Sequence, residues 1–317
     1  MFENLSEKQT ELLKYINESW KEKWDVLDGI SESDFNFAVQ SDTHFSVVTC
    51  NECDANNLKA LSHFIPLKFI ANFGDYIKGY FMGEAGKADN TPDKTMQSLK
   101  EITRRYLEDA NCPVLITFGN HDTNQLWCKN YGKADQQLTQ KDHHEQVIKK
   151  LQAHNGSAMV ADGDSNYYYV DFPDDGIRII MLNTTDGCYD NEFDSPSQIS
   201  LRQVEWFEKV ALDTDMNVLV ACHVPLIKEF PGNDSSVVIN GDLILGAVER
   251  FIERGGKFTV YMCGHTHIQG ELTDQNGRLH ISFRLGGYSA EVVTLNTKER
   301  LITTRGLSKA ENRRYEY

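Results

Sequence analysis

Residues 258–267 read FTVYMCGHTH. Six residues rich in aromatic and β-branched side chains form a buried strand. Gly264 ends it, and His265 and His267 follow with one residue between them. In an extended segment that spacing turns both imidazoles to the same side. Taken alone, an H-x-H after a strand is a polar loop. The fold is decided by how often the same arrangement recurs.

Four more apolar runs end in the same way. FNFAVQ (35–40) leads to Asp42 and His44, and LKFIANF (67–73) leads to Asp75. CPVLITF (112–118) leads to Asn120, His121 and Asp122, and NVLVAC (217–222) leads to His223. A sixth run is IRIIML (177–182), and segments of helical character fall at 55–64, 93–110, 138–154, 197–212 and 242–254. Strands alternating with helices predict an α/β architecture with much parallel sheet. After residue 270, RLHISFRL, AEVVTLN and ERLITTR read as consecutive strands of an antiparallel meander, so the sheet system is mixed. With no Pro/Gly/Ser-rich linker, residues 1–317 form one domain. Ser6 and Gln9 make a capping box for a helix over 5–27, within an amphipathic extension covering 1–30.

Bulk composition narrows the function. The net charge of −15, from 47 acidic and 32 basic side chains, argues against an extended nucleic acid as partner. It leaves room for a small phosphorylated substrate, because bound cations can supply positive charge locally. No run of about 18 apolar residues predicts a membrane span. The polar N-terminus lacks the features of a signal peptide. Seven cysteines, an odd number, fit a reduced cytoplasmic setting. Cys50–Cys53 is a C-x-x-C without a second pair to complete a zinc site. Cys222 and Cys263 read as buried core residues. No signal for an oligomeric state stands out.

Ligands of α/β proteins bind outside the carboxyl ends of the strands. Five of the ten histidines stand at such ends. Imidazole, carboxylate and amide oxygen without thiolate suit Mn, Fe or Zn in a hydrolytic site. Asp42, His44, Asp75, His223, His265 and His267 together with Asn120 are too many for one ion that keeps a place for substrate. Two divalent ions about 3.5–4 Å apart, bridged by one carboxylate, account for them, and Asp75, alone on its strand, suits the bridge. His121, a histidine followed by a carboxylate, reads as a general acid.

The ordered set D-x-H, GD, GNHD, H and GHTH resembles the calcineurin-like metallophosphoesterase superfamily, from about Phe35 to the last strands. SLRQVEWFEKV (200–210), a Gln-x-x-Trp on a helix, belongs to the same likeness. The resemblance implies a four-layer α/β/β/α sandwich, two mixed sheets packed face to face and flanked by helices. It implies that Asp42, His44 and His267 hold one ion, that Asn120, His223 and His265 hold the other, and that Asp75 bridges them. The roles of His265 and His267 are interchangeable between the ions. It implies that a hydroxide shared by the metals attacks phosphorus. His121 would then stabilise the phosphoryl oxygen or protonate the leaving group, with Asp122 orienting its ring.

Ser/Thr protein phosphatases of this superfamily carry GDxxDRG and GNHE. Here the stretches are GDYIKGY and GNHD, with Lys78 at the second acidic position and Gly79 in place of Arg. That favours the phosphodiesterase-like branch and a diester or nucleotide-type substrate. The alternatives are a phosphomonoesterase, or a metal-stabilised binding module without catalysis. Residues 123–170 read as an insert near the active site. Tyr76, Tyr80 and Trp127 are candidates to stack on a substrate ring, and Lys78 and Lys129 to meet a phosphate. His143 and His144 are adjacent on a helix, about 100° apart, and read as a solvated face.

Overall fold

A computed structural model describes residues 2–48, 54–79, 92–125, 128, 137–187, 197–233, 236–286 and 289–317. The apolar runs become strands. In chain order they are β1 (Phe35–Gln40), β2 (Phe69–Asn72), β3 (Val114–Ile116), β4 (Met159–Ala161), β5 (Tyr168–Phe172), β6 (Ile177–Met181) and β7 (Asn217–Ala221). They continue with β8 (Lys257–Cys263), β9 (Glu271–Thr273), β10 (Leu279–Ser282), β11 (Ala290–Asn296), β12 (Leu301–Leu307) and β13 (Arg313–Glu316). The helices are α1 (Glu7–Leu12), α2 (Glu18–Lys21), α3 (Asp54–Leu61) and α4 (Pro92–Leu107), followed by α5, in which Gln140–His143 and Lys149–Asn155 are joined by a π turn over His144–Ile148. Then come α6 (Leu201–Trp206), extended by a π turn over Phe207–Ala211, and α7 (Gly241–Glu253).

Two mixed sheets result. One has the order β13-β12-β11-β1-β2-β3 and the other β4-β5-β6-β7-β8-β10-β9. Side-chain alternation packs them face to face. On β7, Leu219 and Ala221 join Phe37, Ile70 and Val292 of the first sheet in the central core. Val218 and Val220 of the same strand face the other way, against Trp206, Phe207, Val248 and Phe251 of α6 and α7. The strands β1, β2 and β3 are mutually parallel, as are β6, β7 and β8. Each set therefore delivers its carboxyl ends to one edge.

Three expectations change. RLHISFRL is not part of a meander with its successors. Its strand, β10, lies in the second sheet, parallel to β8, while β11, β12 and β13 form the meander in the first. The chain changes sheets between them, where Gly286 donates to the Ser41 carbonyl and a Cβ on Gly286 would lie 2.7 Å from the Thr43 side chain. Residues 123–170 are no appendage, since they supply α5 and two strands of the second sheet. The N-terminal segment is broken rather than continuous. The Ser6–Gln9 capping box opens α1, but Ile16 is extended and Asn17 caps the separate α2. Leu12, Ile16 and Trp20 of this segment are buried in the central core.

Candidate metal centre

The sheet edges meet where the five polar tips converge. Asp42 and His44 follow β1, Asp75 follows β2, Asn120 and His121 follow β3, His223 follows β7, and His265 and His267 follow β8. Asp42, His44 and His267 offer ligand atoms all within 4.8 Å of one another, and so do Asp75, His223 and His265. His44, Asp75 and His121 form a third such group, so Asp75 lies among all the clusters but the first. Across the sheets, His223 Nε2 stands 3.2 Å from Asp75 Oδ2 and 4.0 Å from Asp42 Oδ1. His267 Nε2 stands 3.3 Å from both Asp42 Oδ1 and His44 Nε2.

The backbone is strained to make this happen. Asp42, His44, Asp75, His265 and His267 all have positive φ, between 47° and 68°. That left-handed region costs a residue with a Cβ about 1–2 kcal/mol, and such outliers gather at functional sites. The motif glycines admit the close approach. A Cβ on Gly119 would sit 2.1 Å from Asp75 Oδ1, and one on Gly264 would sit 1.9 Å from Ser41 Oγ and 2.9 Å from Asp42 Oδ2.

The donors fit divalent ions. Asp42 Oδ1, His44 Nδ1, Asn120 Oδ1 and His223 Nε2 are buried polar atoms without a hydrogen-bond partner. Burial of that kind is costly unless something else satisfies the atom. The remaining ring atoms are held as metal-binding imidazoles are. His223 Nδ1 is 2.8 Å from the Phe73 carbonyl, and His265 Nε2 is 2.9 Å from the Ser236 hydroxyl. Ser236 was not singled out in the sequence, because a serine in the loop between β7 and α7 carries no pattern.

Electrostatics follow the same crowding. Burial disfavours charge on His223, yet the Asp75 and Asp42 carboxylates outweigh it and hold the imidazole up at about 9. Burial raises Asp75 and Asp42 in turn, but facing histidines prevail: His223 and His121 bring Asp75 well below the usual carboxylate range, and His267 and His223 lower Asp42. His44 and His265 are pushed down to about 4, chiefly by burial.

His121 sits at the rim, its side chain 20% exposed. Its backbone N–H donates to Asp75 Oδ1 at 2.8 Å, and its ring Nδ1 lies 2.9 Å from the Lys78 carbonyl. Nε2 thus faces the centre, 3.9 Å from Asp75 Oδ2. Asp122 does not orient this ring, contrary to the expectation from the motif. Its carboxylate accepts backbone N–H groups from Asp75, Ile77 and Gly119, at 2.8, 3.0 and 2.7 Å. That carboxylate closes a turn onto the neighbouring strand, and the imidazole Nδ1 is taken by the Lys78 carbonyl instead.

The proposed substrate contacts divide. Tyr76 is fully buried, with its ring packed toward Phe118, and is a core residue. Lys78 is half-buried beside His121. Trp127, Lys129 and Tyr80 lie outside the described residues, as do Cys50 and Cys53. His143 and His144 are buried rather than solvated. His143 bonds the Asp122 carbonyl and His144 the Ser165 carbonyl, and the π turn that starts at His144 lies between them and α5's second half. Gln203 of the Gln-x-x-Trp motif is buried and clasps both backbone groups of Asn183 at 2.8 Å, tying α6 to the end of β6.

The sequence matches the family described as calcineurin-like phosphoesterase over residues 35–269, a span that includes every ligand candidate. No curated protein matches it. Among solved structures, a dimetal phosphatase from Danio rerio has a TM-score of 0.60 at 15% identity, over 89% of this chain and 99% of that chain, a likeness of fold. A 5'-nucleotidase from Candida albicans has a TM-score of 0.45 at 15% identity, over 84% of this chain and 48% of its own. For a putative 5'-nucleotidase from Staphylococcus aureus the values are 0.46 and 15%, over 90% and 54%. This chain spans about half the length of those two proteins.

Proposed function

The chain belongs to the calcineurin-like phosphoesterase family, hydrolases of phosphoester bonds, and from that premise we propose that it cleaves a small phosphodiester or nucleotide-type phosphoester at a centre of two divalent ions. The observation that carries this is the convergence of Asp42, His44 and His267 beside Asp75, His223 and His265, with four buried polar atoms at the same spot left for a ligand to satisfy. Asp42, His44 and His267 would hold one ion and Asn120, His223 and His265 the other, with Asp75 available to both. Bound there, Mn, Fe or Zn ions would supply Lewis acidity and a nucleophile at neutral pH.

The chain's own part is to place and to protonate. Asp42 and Asp75 stay ionised at neutral pH, because the facing histidines lower both carboxyls. The Lys78 carbonyl holds His121 by Nδ1, which leaves Nε2 to carry a proton toward the leaving oxygen. Half-buried Lys78, whose backbone carbonyl bonds His121, is the candidate to meet a substrate anion. Free Cys112, Cys128, Cys222 and Cys263 support a reduced, cytoplasmic setting, and no described helix is long and apolar enough to cross a membrane.

The test is metal analysis coupled to a substrate panel. Protein loaded with manganese should hydrolyse aryl phosphate diesters faster than the matching monoesters. Turnover of monoesters alone would move the reading to a phosphomonoesterase. Metal binding without turnover of either would leave only a binding module.

A further inference from the structure

Outside the metal centre, α4 and α5 face each other across an open groove of about 650 Å³. Lys100, Arg104 and Arg105 of α4 and Lys150 of α5 line it, and among the described residues Glu101 is the one carboxylate in its walls. In a chain with net charge −15, this is a local reversal of sign. Glu101 is already engaged by both guanidiniums, with Arg104 Nε at 3.0 Å and Arg105 Nε at 2.7 Å. Those bonds hold its carboxyl down at about 2, so it is ionised and spent.

The two lysines are left over. Lys150 donates to the neutral amide of Gln146 at 3.4 Å, and among the described residues neither it nor Lys100 has a carboxylate within ion-pair distance. Partial burial and then the facing charge of Lys100 depress the Lys150 amine. A solvated helix face would not produce this. Cations strung along one exposed helix do not desolvate each other, whereas here they come from two helices and share one concavity. Arg104 is committed to Glu101 and to Glu108, so it is the two ammonium groups, one on each helix, that match the charge of a phosphate group.

We propose that this groove is a second anion site, which binds a phosphate or pyrophosphate group apart from the metal centre. Its floor connects the two. Phe45, under the Arg105 guanidinium at 5.1 Å, also lines the groove and follows His44 directly in the chain. The Phe45 N–H donates to the Tyr76 carbonyl, and the Phe45 carbonyl accepts from Lys78, whose own carbonyl holds His121. An anion in the groove therefore bears on the loop that carries His44 and on the one that steers His121.

The experiment titrates inorganic phosphate, pyrophosphate and a nucleoside diphosphate into metal-stripped, chelator-free full-length protein at low ionic strength, read by calorimetry. Saturable binding is expected for at least one probe. The Lys100→Glu/Lys150→Glu variant should weaken it at least tenfold and Lys100→Gln/Lys150→Gln by less. Thermal melts serve to show that both variants fold. His44→Ala/His267→Ala should bind as the unaltered chain does. The tightest probe tells a free ion from a phosphate carried on a larger molecule. Absence of saturable binding by all three probes overturns the proposal. So does binding that survives both lysine variants, or that disappears with the histidines, because the anion would then sit at the metal centre. None of these readouts depends on catalysis, so failure here leaves the hydrolase reading untouched.

Discussion

The carboxylate of Asp122 accepts the backbone N–H of Asp75 at 2.8 Å, so the residue after the rim histidine holds a candidate ligand that arrives on a different strand. The same two oxygens also take Ile77 and Gly119. The GNHD motif is thus a clasp between the ends of β2 and β3. Asp122→Ala strands three buried N–H groups, which should cost at least about 3 kcal/mol in denaturant unfolding and lower metal content. Asp122→Asn keeps one acceptor oxygen and should fall between. Full metal content and stability with only kcat reduced would restore the ring-orienting role.

His121 tests the chemistry separately. Its backbone N–H bonds Asp75 whatever the side chain, so His121→Ala should keep both ions. Turnover should drop roughly a hundred- to ten-thousand-fold, the usual worth of a placed general acid. Atomic absorption beside steady-state kinetics separates the two effects. Loss of metal along with activity would make the ring a ligand instead.

Much of this was legible because strand, glycine and ligand lie within ten residues of each other. The run FTVYMCGHTH announces its strand and its tip in one reading, and α/β topology does the rest. What stayed hidden depends on packing across the fold. His143 and His144 look polar and solvated as a pair, yet α5 is sandwiched, and each imidazole finds a carbonyl 21 residues away. Tyr76 follows a candidate ligand and so looks like a pocket residue, but its side chain turns into the core. The sheet exchanged between β10 and β11 cannot be read from two strands of similar composition. Ser236, beside His265, becomes visible only in the folded chain, because its bond to the ring spans 29 residues.

Gly79 explains one departure from the protein-phosphatase pattern. Its φ is 63°, and a Cβ there would lie 1.7 Å from the His121 carbonyl oxygen. No side chain fits unless the His121 turn moves, so an Arg at this place belongs to a differently built loop. Gly79→Ala should destabilise by more than about 1 kcal/mol and cut kcat at least tenfold through the displaced turn. A melt and a rate both unchanged would mean that the turn yields freely.

Chelation should reveal the ions as part of the fold. Four buried polar atoms of the candidate ligands have no hydrogen-bond partner among the described residues, so a bound ion would satisfy them. A ligand at a hundred times its Kd stabilises the folded state by about 2.7 kcal/mol. Melting temperature should therefore fall in EDTA and recover with manganese in excess. Equal melting temperatures with and without the ion, in protein shown by analysis to bind it, would deny that coupling.

Asp186 gives the pH dependence a source remote from the ligands. Burial pushes its carboxyl up to about 7, although hydrogen bonds from Ser200 partly offset that. The Ser200 N–H donates to Oδ1 at 2.8 Å, and the Ser200 hydroxyl to Oδ2 at 2.5 Å. The folded value lies above the unfolded one, near 3.9. The folded chain therefore binds the extra proton, and the stability it brings is complete below about pH 4. That stability declines as the pH rises through 7, by on the order of 4 kcal/mol in all. Asp186→Asn presents an amide oxygen to the Ser200 N–H and an amide N–H to the hydroxyl, and it does not titrate. Urea unfolding from pH 4 to 8 should show a downward slope in the unaltered chain that is shallower in the variant, so that the two curves cross and the variant is the more stable above pH 7. Parallel curves would show that Asp186 keeps an ordinary carboxyl and that the slope arises elsewhere.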